Sequence, residues 1–505
     1  MTNKARETTT SVWMDTARTP GFEPLRRDAE ADVCVVGAGI AGLSTAYQLA
    51  REGRRVILLD DGPIAGGQTQ RTTAHLSCAI DDRFSELERV HGEEGSRLAA
   101  ESHAAAIDRI EAIAREEAFD CDFKRVDGYL FLGPDQSEKI LEDELAAAHR
   151  AGLTGVEFVP KAPLPFDTRR CLRFPRQGQF HPLRYTAGLV DAFTRRGGVV
   201  HTQTRVAKVA AGAVETEAGP VVKAGAVVVA TNTPINDMVV IHTKQAPYLT
   251  YAVGFRIPRG AVEPGLYWDT LDPYHYIRMQ QGDDADALIV GGEDHKSGQA
   301  EDQEERWGRL EAWTRERFPQ VQAVEARWSG MVMETTDGLA FIGRNPREKG
   351  EVYIATGDSG MGMTHGVIAG MLLTDLILGR ENPWSTIYDP SRKPVWGMAW
   401  KEFIRENANV AKEYARDWLG PGDVSSVDEI PAGHGAVIRR GLSKHAVYRD
   451  ESGAVHERSA VCPHLGCIVH WNGAEKTWDC PCHGSRFDPE GQGVVGPANR
   501  PLGEV

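Results

Sequence analysis

The sequence predicts an α/β domain followed by a small all-β domain, and three observations carry that prediction. Residues 32–61 read as strand, glycine turn, helix and strand, the opening of a βαβ unit. Residues 246–294 alternate and are rich in aromatics, the pattern of an antiparallel sheet. From residue 424 onward the texture becomes strand-and-turn, dense in Gly, Pro and Cys.

The elements follow in order. Residues 1–30 are polar and irregular, an N-terminal extension. DVCVVGAGI begins as a buried strand, AGLSTAYQLAREG has helical spacing ended by Gly53, and RRVILLDD is a second buried strand. Residues 84–118 read as helices, and β-rich stretches lie near 126–133 and 221–231. Residues 300–318 are helical, 339–356 look like paired strands, and 364–379 look like a long helix. Residues 399–418 read as an amphipathic linker helix before the strand-rich end.

Composition narrows the class. The 505 residues are 41% hydrophobic and 26% charged, ordinary values for a globular protein of two or more domains. A net charge of −15 argues against nucleic acid and anionic membranes as main partners. The apolar stretch 365–379 carries Asp375 and falls short of the roughly 20 residues of a membrane span. The N-terminus has no signal-peptide pattern, so no transmembrane segment and a cytoplasmic address are expected.

Gly37-Ala38-Gly39-Ile40-Ala41-Gly42 is a GxGxxG fingerprint between a strand and a helix. Gly37 permits the tight turn, Gly39 lets the backbone approach a pyrophosphate, and Gly42 lets the helix pack on the strand. Asp60, ending the second strand with Asp61 beside it, is placed to accept bonds from ribose hydroxyls. The fingerprint alone leaves NAD and FAD open.

The segment resembles the start of the D-amino-acid oxidase/glycine oxidase-like family of FAD-dependent oxidoreductases. GGQTQRTTAHLS (66–77), VVVATN (227–232), DGLAFIGR (337–344) and ATGDSGMGMTHG (355–366) match further segments of that family in order and spacing. The resemblance covers roughly residues 30–390 and implies a Rossmann-like FAD-binding domain with an antiparallel-sheet substrate domain, the latter mainly within 84–190 and 240–330. It implies that FAD contacts Arg71, Thr72, Thr73, Ala74, Val206, Thr231, Gly357, Gly360, Met361, Gly362, Met363 and Thr364 besides the fingerprint. A helix starting near Thr364 would point its positive end at the flavin.

One departure bears on substrate. Amino-acid-oxidising relatives often carry an Arg two residues after a Trp-x-Gly element, gripping the substrate carboxylate. Here the run is Trp328-Ser329-Gly330-Met331-Val332, which favours an amine or an N-substituted amino acid. Arg278 could supply another anion contact or be an ordinary surface or salt-bridged arginine. His75 and His365 could orient substrate, tune the flavin or serve structure alone. Arg71 stands where one flavin-attaching His would lie, so FAD is expected to bind non-covalently.

Of the eight cysteines, Cys34, Cys78, Cys121 and Cys171 are scattered, whereas Cys462, Cys467, Cys480 and Cys482 crowd with histidines. Cys462-x-His464 and Cys480-x-x-His483 offer two thiolates and two imidazoles. Each loop gives one of each, as a Rieske [2Fe–2S] cluster requires, while a zinc finger pairs like ligands within one knuckle. CPHLGC and CPCHGS resemble the Rieske family closely. That resemblance implies Cys462, His464, Cys480 and His483 as ligands and a disulfide between Cys467 and Cys482, with two free thiols the alternative. It also implies a hydrogen bond from Ser485 to a bridging sulfur, Phe487 in place of a potential-raising Tyr, and Gly496-Pro497-Ala498 as the loop covering the cluster. A further strand would be expected beyond Val505.

The organisation expected is therefore 1–30 extension, 31–390 FAD domain, 391–423 helical linker and 424–505 Rieske domain. FAD accepts two electrons and the cluster passes one at a time. A dehydrogenase oxidising a C–N bond and delivering electrons to an external acceptor is expected. A reductase with inward flow, or an oxidase whose Rieske domain is a redox sensor or structural module, are the alternatives.

Overall fold

The computed structural model describes residues 9–236, 241–393 and 398–505, with backbone alone at 398–403, 411 and 415. Residues 1–8 of the expected extension therefore lie outside the described residues. Ala29–Val36 and Val56–Leu59 run parallel, Val33 opposite Val56 through Val36 opposite Leu59, and the helix Ile40–Arg51 crosses between them. Val33–Val36 and all of Val56–Leu59 are buried, which is why they read as unbroken apolar runs.

The sheet built on this unit is ordered Phe341–Arg344, Val352–Thr356, Val221–Val229, Ala29–Val36, Val56–Leu59, Val199–His201. All neighbours are parallel except Phe341–Arg344, which returns antiparallel on Val352–Thr356 as the paired-strand reading expected. Ile40–Arg51 packs on the late helix Gly362–Ile377 with almost nothing between them. A Cβ at Gly366 would stand 2.6 Å from Ile40 Cγ2, and one at Gly370 2.7 Å from Ser44 Cβ. Small residues four apart thus bring the two helices that start at the cavity into direct contact.

The second sheet runs Ala323–Thr335, Gln245–Ile257, Asp286–Lys296, Tyr276–Gln280, Leu266–Asp269, Lys124–Phe131, Cys171–Gln179, His75–Leu76. Its antiparallel character is as expected, with one difference: Leu266–Asp269 pairs parallel with Lys124–Phe131. A parallel pair needs a long crossover, and the chain between 131 and 266 supplies one by travelling through the other sheet. Two helices on that path, Lys139–Arg150 and Pro182–Arg195, were legible only as mixed texture.

The C-terminal portion forms two small antiparallel sheets. His434–Arg440, Ser443–Arg449 and Val455–Ser459 make one; His470–Asn472, Thr477–Asp479, Arg486–Phe487 and Gly493–Val495 make the other. Val437, Ala446, Val469, Trp478, Phe487 and Leu502 share a core of their own. The helix Met398–Leu419 clamps both halves. Asn407 Nδ2 donates to the Thr243 carbonyl at 3.0 Å and Lys296 Nζ to Asn409 Oδ1 at 3.1 Å, while Trp418 Nε1 reaches Gly466 O at 3.1 Å. Among the described residues, no helix is long and apolar enough to cross a membrane.

Candidate functional site

Where the parallel sheet meets the second sheet, a cavity of about 370 Å³ opens. Its size falls within the range of small-molecule and cofactor sites. The fingerprint turn forms one wall. Gly37 sits at φ +103°, a conformation glycine adopts at no steric cost, and a Cβ on Gly42 would overlap the Gly37 carbonyl oxygen. Asp60 is more than a ribose candidate, because its carboxylate accepts from Ala38 N and Gly62 N at 2.6 Å each and so also holds the turn.

Of the residues expected at FAD, Gly37, Gly39, Ile40, Ala41, Asp60, Asp61, Arg71, Thr72, Thr73, Val206, Thr231, Gly357, Gly360, Met361, Gly362 and Met363 line this cavity. Ala38, Gly42, Ala74 and Thr364 stand behind it. Thr364 Oγ1 is instead engaged with His103 Nδ1 at 2.8 Å, and the helix begins two residues earlier than expected, at Gly362. The wall also carries buried polar atoms without partners, Asn232 Nδ2 and His365 Nε2. Glycines that admit a ligand's backbone approach, a carboxylate at the second strand and unspent polar atoms together fit FAD.

The loop after the second strand is held from behind. Ser11 Oγ donates to Gln70 O at 2.6 Å, Trp328 Nε1 to Arg71 O at 2.8 Å, and Trp13 Nε1 to Thr72 O at 2.6 Å. Arg278 Nη1 donates to Thr73 O at 3.2 Å, Ala74 O at 2.7 Å and Phe180 O at 3.1 Å. Consecutive carbonyls are thus tied back by side chains from distant segments. Arg278, read as either an anion contact or an ordinary surface or salt-bridged arginine, is fully buried, outside the cavity wall, and fixes the loop. Trp13, in the N-terminal extension, is wholly buried beneath this loop.

His75 and His365 both line the cavity. His75 has both ring nitrogens engaged, with Thr73 Oγ1 at 3.2 Å and Ile277 O at 3.3 Å, and burial with Arg278 nearby pushes its pKa down to about 3. His365 Nδ1 is paired with Asp358 O at 2.9 Å, and burial lowers it to about 4. Both are neutral imidazoles at pH 7. Sequence reasoning missed the acidic residues of this wall. Burial, then Asp82, lifts Asp81 to about 7; burial lifts Asp294 and Asp358 to about 6 each; burial and the neighbouring acids raise Glu334 well above the usual carboxylate range.

The second site lies in the C-terminal portion. Cys462 and Cys480 are buried and outside any disulfide, and the rings of His464 and His483 face each other at 5.0 Å. Neither ring nitrogen of His464 and not Nδ1 of His483 has a partner, although these atoms are buried. Two buried thiols beside two unspent imidazoles fit a [2Fe–2S] cluster. Cys467 and Cys482 form a disulfide joining the two loops, as expected. Cys462 N donates to Cys467 O and Cys480 N to Ser485 O, both at 2.8 Å, closing each loop on itself. Ser485 Oγ also accepts from Ala498 N at 3.0 Å, which seats the covering loop.

The two sites share a boundary. Val494, Val495, Gly496, Ala498 and Asn499 line the large cavity. His242, from the N-terminal portion, packs edge-on against His464 and His483 with centroids 4.8 and 5.6 Å away. A Cβ on Gly484 would stand 3.0 Å from the sulfur of Met331, itself a cavity residue. Beneath them Glu475 is wholly buried, 3.4 Å from Arg71, and accepts from Thr9 Oγ1, Ser329 N and Ser329 Oγ. Burial would raise its carboxyl, but Arg71 and Arg486 outweigh burial and hold it below the ordinary value.

A dinucleotide fold with a cavity at its glycine turn, joined to a paired Cys/His centre, defines a flavoprotein oxidoreductase with an iron–sulfur domain. The chain belongs to the FAD dependent oxidoreductase family, which it matches over residues 32–376, and matches the Rieske [2Fe-2S] domain over 421–505. Its cofactors are FAD and a Rieske [2Fe–2S] cluster, and it is an FAD-dependent oxidoreductase. It is 30% identical over 505 residues to YhfW of Bacillus subtilis (strain 168), provisionally described as a Rieske 2Fe-2S iron-sulfur protein, covering 99% of this chain and 98% of that one. Solved structures with the same fold include glycine oxidase from Geobacillus kaustophilus, with TM-score 0.61, 18% identity, and 72% of this chain and 99% of that one covered. L-proline dehydrogenase from P. horikoshii gives TM-score 0.59 at 20% identity, covering 73% and 98%.

Proposed function

We propose that the chain is a dehydrogenase that oxidises a C–N bond of an amine or N-substituted amino acid and delivers the electrons through the Rieske centre to an external acceptor. FAD supplies the two-electron oxidation and the cluster the one-electron exit. The single observation that carries the reading is the boundary. The imidazoles assigned as cluster ligands are turned inward, covered by His242, and Met331 touches both the flavin cavity and the Gly484 loop. An ornamental domain needs no such alignment of its redox edge.

The residues divide the work. Gly37, Gly39 and Asp60, with residues 71–73 and the 357–363 loop, would hold non-covalently bound FAD. Trp13, Trp328 and Arg278 tie back the 71–74 carbonyls. Cys462, Cys480, His464 and His483 hold the cluster. Burial keeps His75 and His365 neutral, so neither adds positive charge beside a cationic amine.

An anaerobic stopped-flow screen of amines and N-methylated amino acids, following flavin and Rieske absorbance together, tests the proposal. A substrate that bleaches the flavin and then reduces the cluster is the expected result. Cluster reduction by a reduced ferredoxin, followed by the flavin and with no amine active, would reverse the direction. Turnover to peroxide with the cluster idle would leave the domain a sensor.

A further inference from the structure

The cavity wall around the 357–363 loop is strongly acidic. Asp81, Asp294, Glu334 and Asp358 all line it, whereas the lining cations are Arg71 and Arg205. Arg71 is committed to Glu475 and the Ser329 carbonyl, and Arg205 lies toward Asp61 and Glu217 at the nucleotide side. The carboxylates crowd the loop itself: a Cβ on Gly360 would collide with Asp81 and one on Gly362 would stand 2.7 Å from Asp358 Oδ2.

Two further features bear on what this wall can hold. Asp294 Oδ1 is without solvent and without a hydrogen-bond partner, although its side chain forms part of the wall. A buried carboxylate oxygen left bare is costly unless something pairs with it. The strand Ala323–Thr335 presents Gly330, Val332 and Glu334 to the cavity, as alternation along a strand requires. That face therefore offers space, an apolar surface and a carboxylate, and no cation for a substrate carboxylate. Trp268 and Tyr276, from neighbouring strands of the same sheet, and Tyr274, bonded to Asp81, add aromatic side chains of the kind that attracts cations.

We propose that this wall is a subsite for a second ammonium group, so that the substrate is a diamine or polyamine rather than an amino acid. The inference rests on the reading of the cavity as the flavin and substrate site. A nitrogen next to the oxidised carbon must be unprotonated, because its lone pair forms the C=N bond. The cation that four clustered carboxylates call for is therefore another nitrogen of the same molecule. Burial raises the pKa values of Asp81, Asp294, Asp358 and Glu334, and neighbouring acids add to it at Asp81 and Glu334, as expected of carboxylates whose counter-charge arrives with the ligand.

Calorimetric titration of the FAD- and cluster-loaded protein with 1,4-diaminobutane, butylamine and 4-aminobutanoate tests this. The three probes share a four-carbon chain and end in a positive, neutral or negative group. The diamine is expected to bind about tenfold tighter than butylamine, the scale of one buried charge contact, and 4-aminobutanoate weakest of all. Glu334→Gln should narrow the diamine-to-butylamine ratio toward one, and Asp81→Asn serves in its place should that variant fold poorly. Absence of diamine binding, equal or tighter binding of 4-aminobutanoate, or an unchanged ratio in both variants would overturn the subsite. Because the readout is binding, its fate is separable from the dehydrogenase reading. Diamine binding without cluster reduction spares the subsite alone, and cluster reduction by amines with no diamine preference spares only the dehydrogenase.

Discussion

The iron–sulfur centre and the flavin cavity are built in opposite ways. The centre draws its ligands from two loops, 462–467 and 480–485, which are closed by their own backbone bonds and joined by the Cys467–Cys482 disulfide. The cavity draws its wall from segments between Val36 and Asn499, and its 70–74 loop is held by Ser11, Trp13, Trp328 and Arg278. The first site is organised by short-range geometry, the second by contacts between residues far apart in the chain. The difference says where each is vulnerable: the centre to loss of a ligand, the cavity to substitutions that touch no ligand at all.

The sharpest way to break the comparison is to remove a ligand. Cys480→Ser is expected to abolish the Rieske electron paramagnetic resonance signal while FAD content stays near stoichiometric; loss of both would mean that the sites are not independently built. Next comes the buried contact between them. Glu475→Ala removes the buried carboxylate that faces Arg71 and should cost about 3–5 kcal/mol, read by urea denaturation, with Glu475→Gln costing less. Because the Glu475 carboxyl is held below its ordinary pKa, this contribution is present above the ordinary carboxylate range. It is lost as pH falls through the depressed folded-state value. A wild type and a Glu475→Gln variant of equal acid sensitivity would refute that assignment.

Cys467→Ser opens a loop whose ends are 15 residues apart, worth about 3 kcal/mol in the chain-entropy estimate. The loss should fall on the C-terminal portion, detected as earlier release of iron on heating with flavin retention unchanged. The smallest effect belongs to the acidic wall. Asp81, at about 7, and Asp294 and Asp358, at about 6, hold protons in the fold that they lose when unfolded. Their stabilising contribution is complete below the ordinary Asp value and disappears as pH rises through about 6 to 7. Melting temperature without amine should therefore decline across that window, and Asp294→Asn should flatten the decline; an unaltered slope would contradict the assignment.

The same contrast explains what was legible in the sequence. The GxGxxG turn and the Cys-x-His and Cys-x-x-His loops could be read because each functional unit is contiguous, and its glycines or ligands have few alternative uses. Trp13 under the flavin loop could not, since nothing local distinguishes a buried tryptophan from an exposed one in a polar stretch. Arg278 stayed open between an anion contact and a structural role because an arginine among aromatics is ambiguous until its partners, three backbone carbonyls and Gln280, are known. Glu334 and Asp294 lie on separate strands of one sheet and Asp81 in the turn before Phe84, so their convergence arises from tertiary packing, which periodicity does not reveal. The parallel pairing of Leu266–Asp269 with Lys124–Phe131 was hidden for the same reason.

The short stretch from Val494 to Asn499 completes the wall of the flavin cavity. Domains generally fold as units from the N-terminal side during synthesis, so the nucleotide cleft exists before its closing wall does. An FAD bound in the cavity would thus sit behind a hatch that the C-terminal portion supplies, with Arg71 and Glu475 as the latch between the two.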